Sequence, residues 1–160
     1  MSQTDYIAEH KEPTNEQMEA FVAKAFDFAR QGDSNSLEIM LNYGLNPNLT
    51  NHKGNTLLML ACYHDNFETA QLLLERGADP DRPNDKGQTP LAGVCFKGFT
   101  PIAELLLKYG ADPDWDSGMG LTPLNCAIMF RRKDITKMLL KKSSKKPSIL
   151  QKLGLLIFRI

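Results

Sequence analysis

Short apolar stripes at helical spacing alternate with polar, glycine-containing turns along most of this sequence. One stripe with the period of an α-helix consists of Ile102, Ala103, Leu105, Leu106 and Leu107. Gly110 follows it in a position that suits a left-handed C-cap. Upstream, Thr89 and Pro90 are typical of a helix start, because the hydroxyl can cap the first turn and proline lacks an N–H that would go unused there. The pattern predicts one helix over about 91–96 and a second that starts at Thr100 in the same way.

This pattern recurs along the chain with a constant repeat length, which equals the separation of Gly54 and Gly87 in the sequence. Glycine and threonine mark the turn that opens each unit, at Gly54, Gly87 and Gly120 and at Thr56, Thr89 and Thr122. Leucine, glycine and proline recur later in each unit, at Leu41, Leu74, Leu107 and Leu140, at Gly44, Gly77 and Gly110, and at Pro47, Pro80 and Pro113. Periods of roughly 20–50 residues are typical of stacked units that cannot bury their apolar faces alone. Leu74 and Leu107 are therefore expected to be buried.

Four such units fit the chain, with boundaries at about 14–50, 51–83, 84–116 and 117–142. Together they predict one repeat domain, 14–142, between a polar N-terminal segment, 1–13, and a basic and apolar tail, 143–160. The first unit lacks the leading hairpin and opens with a longer helix, at which Thr14 and Gln17 have the spacing of a capping box. Four units exceed the roughly three that a stable stack requires.

The recurring motifs resemble the signature of the ankyrin repeat. It is carried by residues 88–91 (QTPL) and 105–112 (LLLKYGAD), and it returns in residues 72–79 (LLLERGAD) and 121–124 (LTPL). The amino-acid sequence of these repeats resembles that of small bacterial ankyrin proteins of the cytosol. The resemblance implies an all-α ankyrin-repeat solenoid of four stacked helix-turn-helix units with β-hairpin-like loops, plus a C-terminal tail or capping helix. It also implies a protein–protein interaction module, an adaptor or scaffold.

In this family the partner usually lies against the concave side, where it touches the hairpin tips and the ends of the inner helices. By position, the inner helices contribute Arg30, Tyr63, His64, Phe96, Lys97, Met129 and Phe130. The hairpin tips contribute His52, Lys53, Asn55, Asp85, Lys86, Gln88, Met119 and Leu121. Tyr63, Phe96 and Met129 recur once per repeat, so we expect a column of interface anchors. The alternative is that they pack against neighbouring inner helices or lie under the hairpins.

Charge is segregated along the chain, although the formal net charge is zero. Residues 1–130 contain 9 Lys/Arg and 18 Asp/Glu, whereas residues 131–160 contain 10 and 1. Such asymmetry indicates either an interaction tail or an attraction that docks the tail onto its own acidic domain. Nucleic acid is disfavoured as the partner of these basic residues, because the acidic domain repels phosphate and no stacking aromatics interleave with them.

The tail itself has an imperfect amphipathic pattern. One helical face carries Ile149, Leu150, Leu153, Leu156, Ile157 and Ile160. Leu155 and Phe158 fall outside that face. One interpretation is a capping helix over the apolar side of the last repeat. The others are a disordered or partner-bound tail and, through residues 145–160, attachment to an anionic membrane surface that the segment is too short to cross.

The remaining motifs argue against catalysis and against a cofactor or metal. Cys62 and Cys95 are equivalent positions of adjacent repeats, about 10 Å apart, which is too far for a disulfide, so Cys62, Cys95 and Cys126 are expected to be free thiols. The histidines have no metal-site spacing, and no phosphate loop is present. Without an export signal, the chain is expected to be cytoplasmic and monomeric. The alternative function is a peripheral membrane or nucleic-acid adaptor that acts through the tail.

Overall fold

The computed structural model describes residues 14–116, 118 and 122–159, and nine helices lie within them. The first helices of the four repeats are α1 (Asn15–Gln31), α3 (Leu57–Tyr63), α5 (Pro90–Lys97) and α7 (Pro123–Met129). The second helices are α2 (Ser34–Asn42), α4 (Phe67–Glu75), α6 (Thr100–Lys108) and α8 (Lys133–Lys142). A final helix, α9 (Ile149–Ile157), follows the last repeat. The prediction of an all-α solenoid is confirmed.

Threonine caps start the first helices, as the sequence predicts. The hydroxyls of Thr56, Thr89 and Thr122 each accept a hydrogen bond from the backbone N–H three residues later, at 3.0, 3.3 and 3.1 Å. Thr14 and Gln17 form the predicted capping box. The second helix of the third repeat, α6, begins at Thr100 as predicted, but the capping role expected for Thr100 is wrong, because the N-cap position belongs to Phe99. Thr100 therefore lies within the first turn rather than capping it.

The two rows of helices pack repeat against repeat. In the first row α3 packs between α1 and α5, and α5 packs against α7; in the second row α4 packs between α2 and α6, and α6 against α8. Leu73 and Leu106 are fully buried in the core. Leu74 is buried as expected, but the expectation for Leu107 is wrong, because it is only partly buried and packs at the edge of the core.

A ladder of side-chain acceptors joins the loops of successive repeats. Asn48 accepts a hydrogen bond from the backbone N–H of Asp79 at 2.7 Å. Asp81, at the equivalent position of the next repeat, accepts one from the N–H of Asp112 at 2.8 Å. The amide of Asn48 also donates to the carbonyl oxygen of Gly77 at 3.1 Å. Each rung satisfies a backbone donor of the next repeat, so it fixes the distance between neighbouring loops.

The aspartate at the second rung lies among other acids. Burial raises the pKa of Asp81 above its ordinary value, and the negative charges of Asp112 and Asp79 raise it further, while the hydrogen bond from Asp112 opposes them. The raised pKa means that the ionised form of Asp81 is disfavoured in the folded chain. Asn48 accepts the equivalent hydrogen bond one repeat earlier, and its side chain carries no charge.

Asp81→Asn should therefore stabilise the chain at pH 7 by roughly 0.5–1.5 kcal/mol, about one net hydrogen bond. It relieves the repulsion and offers the carbonyl of Gly110 the donor that Asn48 offers Gly77. Chemical denaturation measures the effect, with Asp81→Ala as the destabilised control that lacks the acceptor. The folded chain raises the pKa of Asp81 above its ordinary value of 3.8. The gain in stability from Asp81→Asn should therefore shrink as the pH falls through the raised pKa, because Asp81 of the wild type then becomes protonated and loses its charge. A destabilised Asp81→Asn would contradict this account of the ladder.

Candidate protein-binding groove

Two hairpin-like loops project from the second and third repeats, and asparagine side chains fix their shape. The side chain of Asn51 accepts hydrogen bonds from the N–H groups of Lys53 and Asn55, at 2.9 and 3.1 Å. Asn84 does the same for Lys86 and Gln88, at 3.0 and 3.1 Å. These internal turns hold the loops without an extended sheet. The described residues contain a single isolated antiparallel bridge, between positions 50 and 56.

Neighbouring loops are also bonded to each other. The backbone N–H of Asp85 donates to the carbonyl of Lys53 at 3.2 Å, and the amide of Asn84 donates to Asn55 at 2.9 Å. Gly54 has a positive φ of 71°, and a Cβ there would collide with the Asp85 side chain, so this turn requires glycine for both reasons. The loops of the second and third repeats therefore form one continuous rim.

A groove of about 660 Å³ lies between this rim and the ends of the first helices. Nine of the fifteen predicted site residues line it: Arg30, His52, Lys53, Asn55, Tyr63, His64, Asp85, Lys86 and Gln88. The loop tips at His52, Lys53, Asp85 and Lys86 are exposed. The sequence interpretation missed four other lining residues, Asn51, Met59, Leu60 and Asn84. The Asx-turn pattern could have revealed the two asparagines, since each lies shortly before the glycine of its loop.

Side chains at the ends of the first helices pair between repeats, along a diagonal. The ammonium of Lys97 lies 4.4 Å from the ring centre of Tyr63. One repeat further on, the rings of Phe96 and Phe130 make an edge-to-face contact with centres 4.4 Å apart. Phe96 is the equivalent of Tyr63 in the next repeat, but Tyr63 contacts the residue after it, Lys97. In the same way, Met129 is the equivalent of Phe96, but Phe96 contacts the residue after it, Phe130. The structure thus joins the two predicted groove positions of adjacent repeats, rather than residues of a single column.

The remaining predicted residues lie further along the stack or outside the described part. Met129 ends α7 with 66% of its surface exposed. Met119 and Leu121, which were predicted at the tip of the last loop, lie outside the described residues. Trp115, which follows the third rung of the loop ladder, Asp114, is partly buried, and its indole nitrogen is buried without a hydrogen-bond partner among the described residues.

The three cysteines are free and buried, as predicted. Burial raises the pKa of the Cys62 thiol far above its ordinary value, and burial likewise raises the pKa of Cys95. His64, two residues after Cys62, is exposed at the end of its helix. A buried neutral thiol is a poor nucleophile, so this neighbourhood does not form an activated Cys–His pair. Within the described part of the chain, no three His, Cys, Asp or Glu side chains are grouped closely enough to hold a metal ion.

The tail is tied to the last repeat through Asp114, the third rung of the loop ladder. Its carboxylate accepts hydrogen bonds from the Ser143 hydroxyl and from the N–H and hydroxyl of Ser144, the latter two at 2.8 and 2.9 Å. Burial raises the pKa of Asp114, but these hydrogen bonds and the charge of Lys145 outweigh it, so the pKa lies below the ordinary value. The start of the tail therefore takes the place of a further repeat's loop.

Helix α9 packs on α7 with the side opposite the predicted apolar face, the side that carries Leu155 and Phe158. Leu155 and Phe158 pack against the core. At Gly154, a Cβ would come within 2.7 Å of the Ile128 side chain, so the helix approaches as closely as glycine permits. The guanidinium of Arg131 lies 5.3 Å from the ring centre of Phe158. The larger apolar face of α9 consequently points away from the repeats.

The family of the chain follows from these repeats together with a sequence comparison. The family model described as "Ankyrin repeats (3 copies)" matches residues 25–115 and 76–149, which is more than half of the chain. The chain belongs to the ankyrin-repeat family. Ankyrin repeats are generally protein–protein interaction modules, and the family is typically non-catalytic.

An ankyrin repeat protein of Pseudomonas aeruginosa, PA3287, is 58% identical to this chain over 52 residues. The match covers 32% of this chain and 30% of the relative's length, so it extends over about one and a half repeats. No helix in the described residues is long and apolar enough to cross a membrane. The ankyrin repeats identify a general role, the binding of other proteins, and do not identify the partner.

Asp114→Ala should release the tail while leaving the repeats folded. The substitution removes the carboxylate that accepts three hydrogen bonds. A hydrogen bond to a charged acceptor stabilises the folded state by about 1.5–3 kcal/mol. Hydrogen exchange of the α9 amides should accelerate at least about tenfold, while the α5 amides should be unchanged.

Acid should have the same effect on the wild type. Because the folded pKa of Asp114 is lowered, its contribution is complete above pH of about 3.8 and is lost as pH falls through the lower folded value. Unchanged exchange of α9 in Asp114→Ala would show that Asp114 does not hold the tail.

Proposed function

We propose that this ankyrin-repeat protein binds another protein in the groove between its loop rim and its first helices. The observation that carries the proposal is the convergence of nine predicted contact residues on one cavity, beside two cross-repeat side-chain pairs. Tyr63 lines the groove with 36% of its surface exposed. Phe130, which is 41% exposed, lies beyond the lining residues and extends the aromatic surface through its contact with Phe96. These three aromatic residues are the proposed anchors. Exposed aromatic groups in a preformed concave site are suited to bury a partner's side chain at little cost in conformational entropy.

The charges of the groove favour an acidic partner segment. Lys53 and Lys86 are exposed on the rim, and Lys97 lies over the ring of Tyr63. Asp85 is the acidic residue among those that line the groove. Arg30 also lines the groove, and it forms an ion pair at 2.6 Å with Asp27, which does not line it. The groove is therefore locally basic on a domain that is acidic as a whole, which attracts a segment carrying Asp or Glu beside an apolar anchor.

The protein would act as a monomeric adaptor or scaffold in the cytoplasm. The buried free thiols support a reducing compartment, since none of the three cysteines takes part in a disulfide. Preformed loops and rigid helices also suit binding without a large rearrangement. No catalytic role is proposed, because the groove offers no activated nucleophile or metal site among the residues described.

The test is affinity capture with the full chain and the variant Tyr63→Ala/Phe96→Ala/Phe130→Ala as baits. If each anchor contributes about 1–2 kcal/mol, the triple variant should retain a protein partner at least about tenfold less well. The matched control is Ile39→Ala/Tyr43→Ala, which truncates two side chains exposed to 57% and 87% at the second helix of the first repeat. All baits are first compared by thermal unfolding.

Capture should be lost from the groove variant and kept by the control. Recovered partners should contain an acidic segment, and charge reversal at Lys53 and Lys86 should lower their association rate. A partner that the groove variant retains, or that the control loses equally, would contradict the groove as the binding site.

A further inference from the structure

Helix α9 exposes an unusually apolar outer face. Five large side chains on it are open to solvent, with exposed fractions between 51% and 84%: Ile149, Leu150, Leu153, Leu156 and Ile157. Their spacing of i, i+1, i+4, i+7 and i+8 places them on one side of a helix. The opposite side is occupied by the contacts of Gly154, Leu155 and Phe158 with the last repeat. The repeats therefore do not cover this stripe.

Basic side chains surround the stripe. Lys145 and Lys146 precede α9, Lys152 lies on its flank and Arg159 follows it, and all four are exposed. The helix itself contains no acidic residue, and the only acid between residues 131 and 160 is Asp134, on α8. An apolar stripe edged by cations is complementary to a surface that is apolar inside and anionic at its boundary.

A second copy of the chain is a poorer match for this stripe. Pairing two α9 helices through their stripes would bring together two segments that each carry 10 basic residues and 1 acidic residue. That repulsion opposes a symmetric dimer, whereas anionic lipid head groups neutralise the same charges. Lysine stems can also lie along the apolar boundary while their ammonium groups reach the phosphates.

We propose that α9 is a membrane-surface contact that binds bilayers containing anionic lipids. The stripe would enter the boundary between head groups and acyl chains, while Lys146, Lys152 and Arg159 contact the head groups. Nine helical residues extend about 13.5 Å, less than half of the roughly 30 Å hydrocarbon core, so the helix lies in the plane of the surface. The groove between the first three repeats is lined by other residues, so this inference is independent of the protein-binding proposal.

The experiment is vesicle flotation of the full chain. Two vesicle compositions are used: phosphatidylcholine alone, and phosphatidylcholine with about one third phosphatidylserine. Binding should be at least about tenfold stronger to the anionic vesicles and should weaken when salt is raised from about 0.1 to 0.5 M, because the attraction of the lysines is screened.

Two variants separate the apolar and the charged contributions. Leu150→Ala/Leu153→Ala/Leu156→Ala should lower vesicle binding at least about tenfold, because it removes apolar groups from the stripe without touching the packed side. Lys146→Ala/Lys152→Ala/Arg159→Ala should abolish the preference for anionic vesicles, while Lys145 keeps its contact with Asp114. The Ile39→Ala/Tyr43→Ala variant again serves as the control, since its exposed side chains lie on or next to α2, and it should bind vesicles like the wild type.

Light scattering of the same proteins without vesicles identifies the competing occupant. The wild type should be a monomer. A dimer that the leucine variant converts to a monomer would overturn the proposal in favour of a second copy. Equal binding to neutral and anionic vesicles, or no binding to either, would also overturn it. Folding of each variant is checked by circular dichroism, so that loss of binding is not loss of structure.

Discussion

The packing of each repeat against the next is the interaction on which the rest of this structure depends. A unit of two short helices, such as α3 and α4, is too small to enclose its own apolar side chains. Leu58 and Leu91, on the first helices of adjacent repeats, are both fully buried because the two rows of helices share one core. The groove is a consequence of that packing, since its lining residues come from three neighbouring repeats.

The loop ladder fixes the spacing that the apolar core alone would leave loose. Asn48, Asp81 and Asp114 occupy equivalent positions of successive repeats, and each accepts from the segment that follows. At the last rung the acceptor meets the tail instead of another repeat, so the same chemistry that joins repeats also ends the stack. Because Asp114 and the close contact at Gly154 orient α9, its outer face is presented away from the domain.

The sequence predicts the repeats and the threonine caps of the first helices, since both depend on residues that are close in the chain. It does not predict which side of α9 packs, because that choice depends on the room that Gly154 leaves for Ile128 on another helix. The diagonal contact between Tyr63 and Lys97 was missed for the same reason. Repetition shows which positions are equivalent in successive repeats, whereas the offset between neighbouring repeats is a property of three-dimensional packing.

The central claim is that a protein partner occupies the groove. Hydrogen exchange by mass spectrometry of the full chain, alone and with its captured partner, tests it most directly. The account predicts slower exchange in residues 51–64 and 84–97, which contain the loop rim and the helix ends that line the groove. Protection confined to the second helices, α2, α4, α6 and α8, or to α9, would contradict the claim and move the protein-binding site elsewhere.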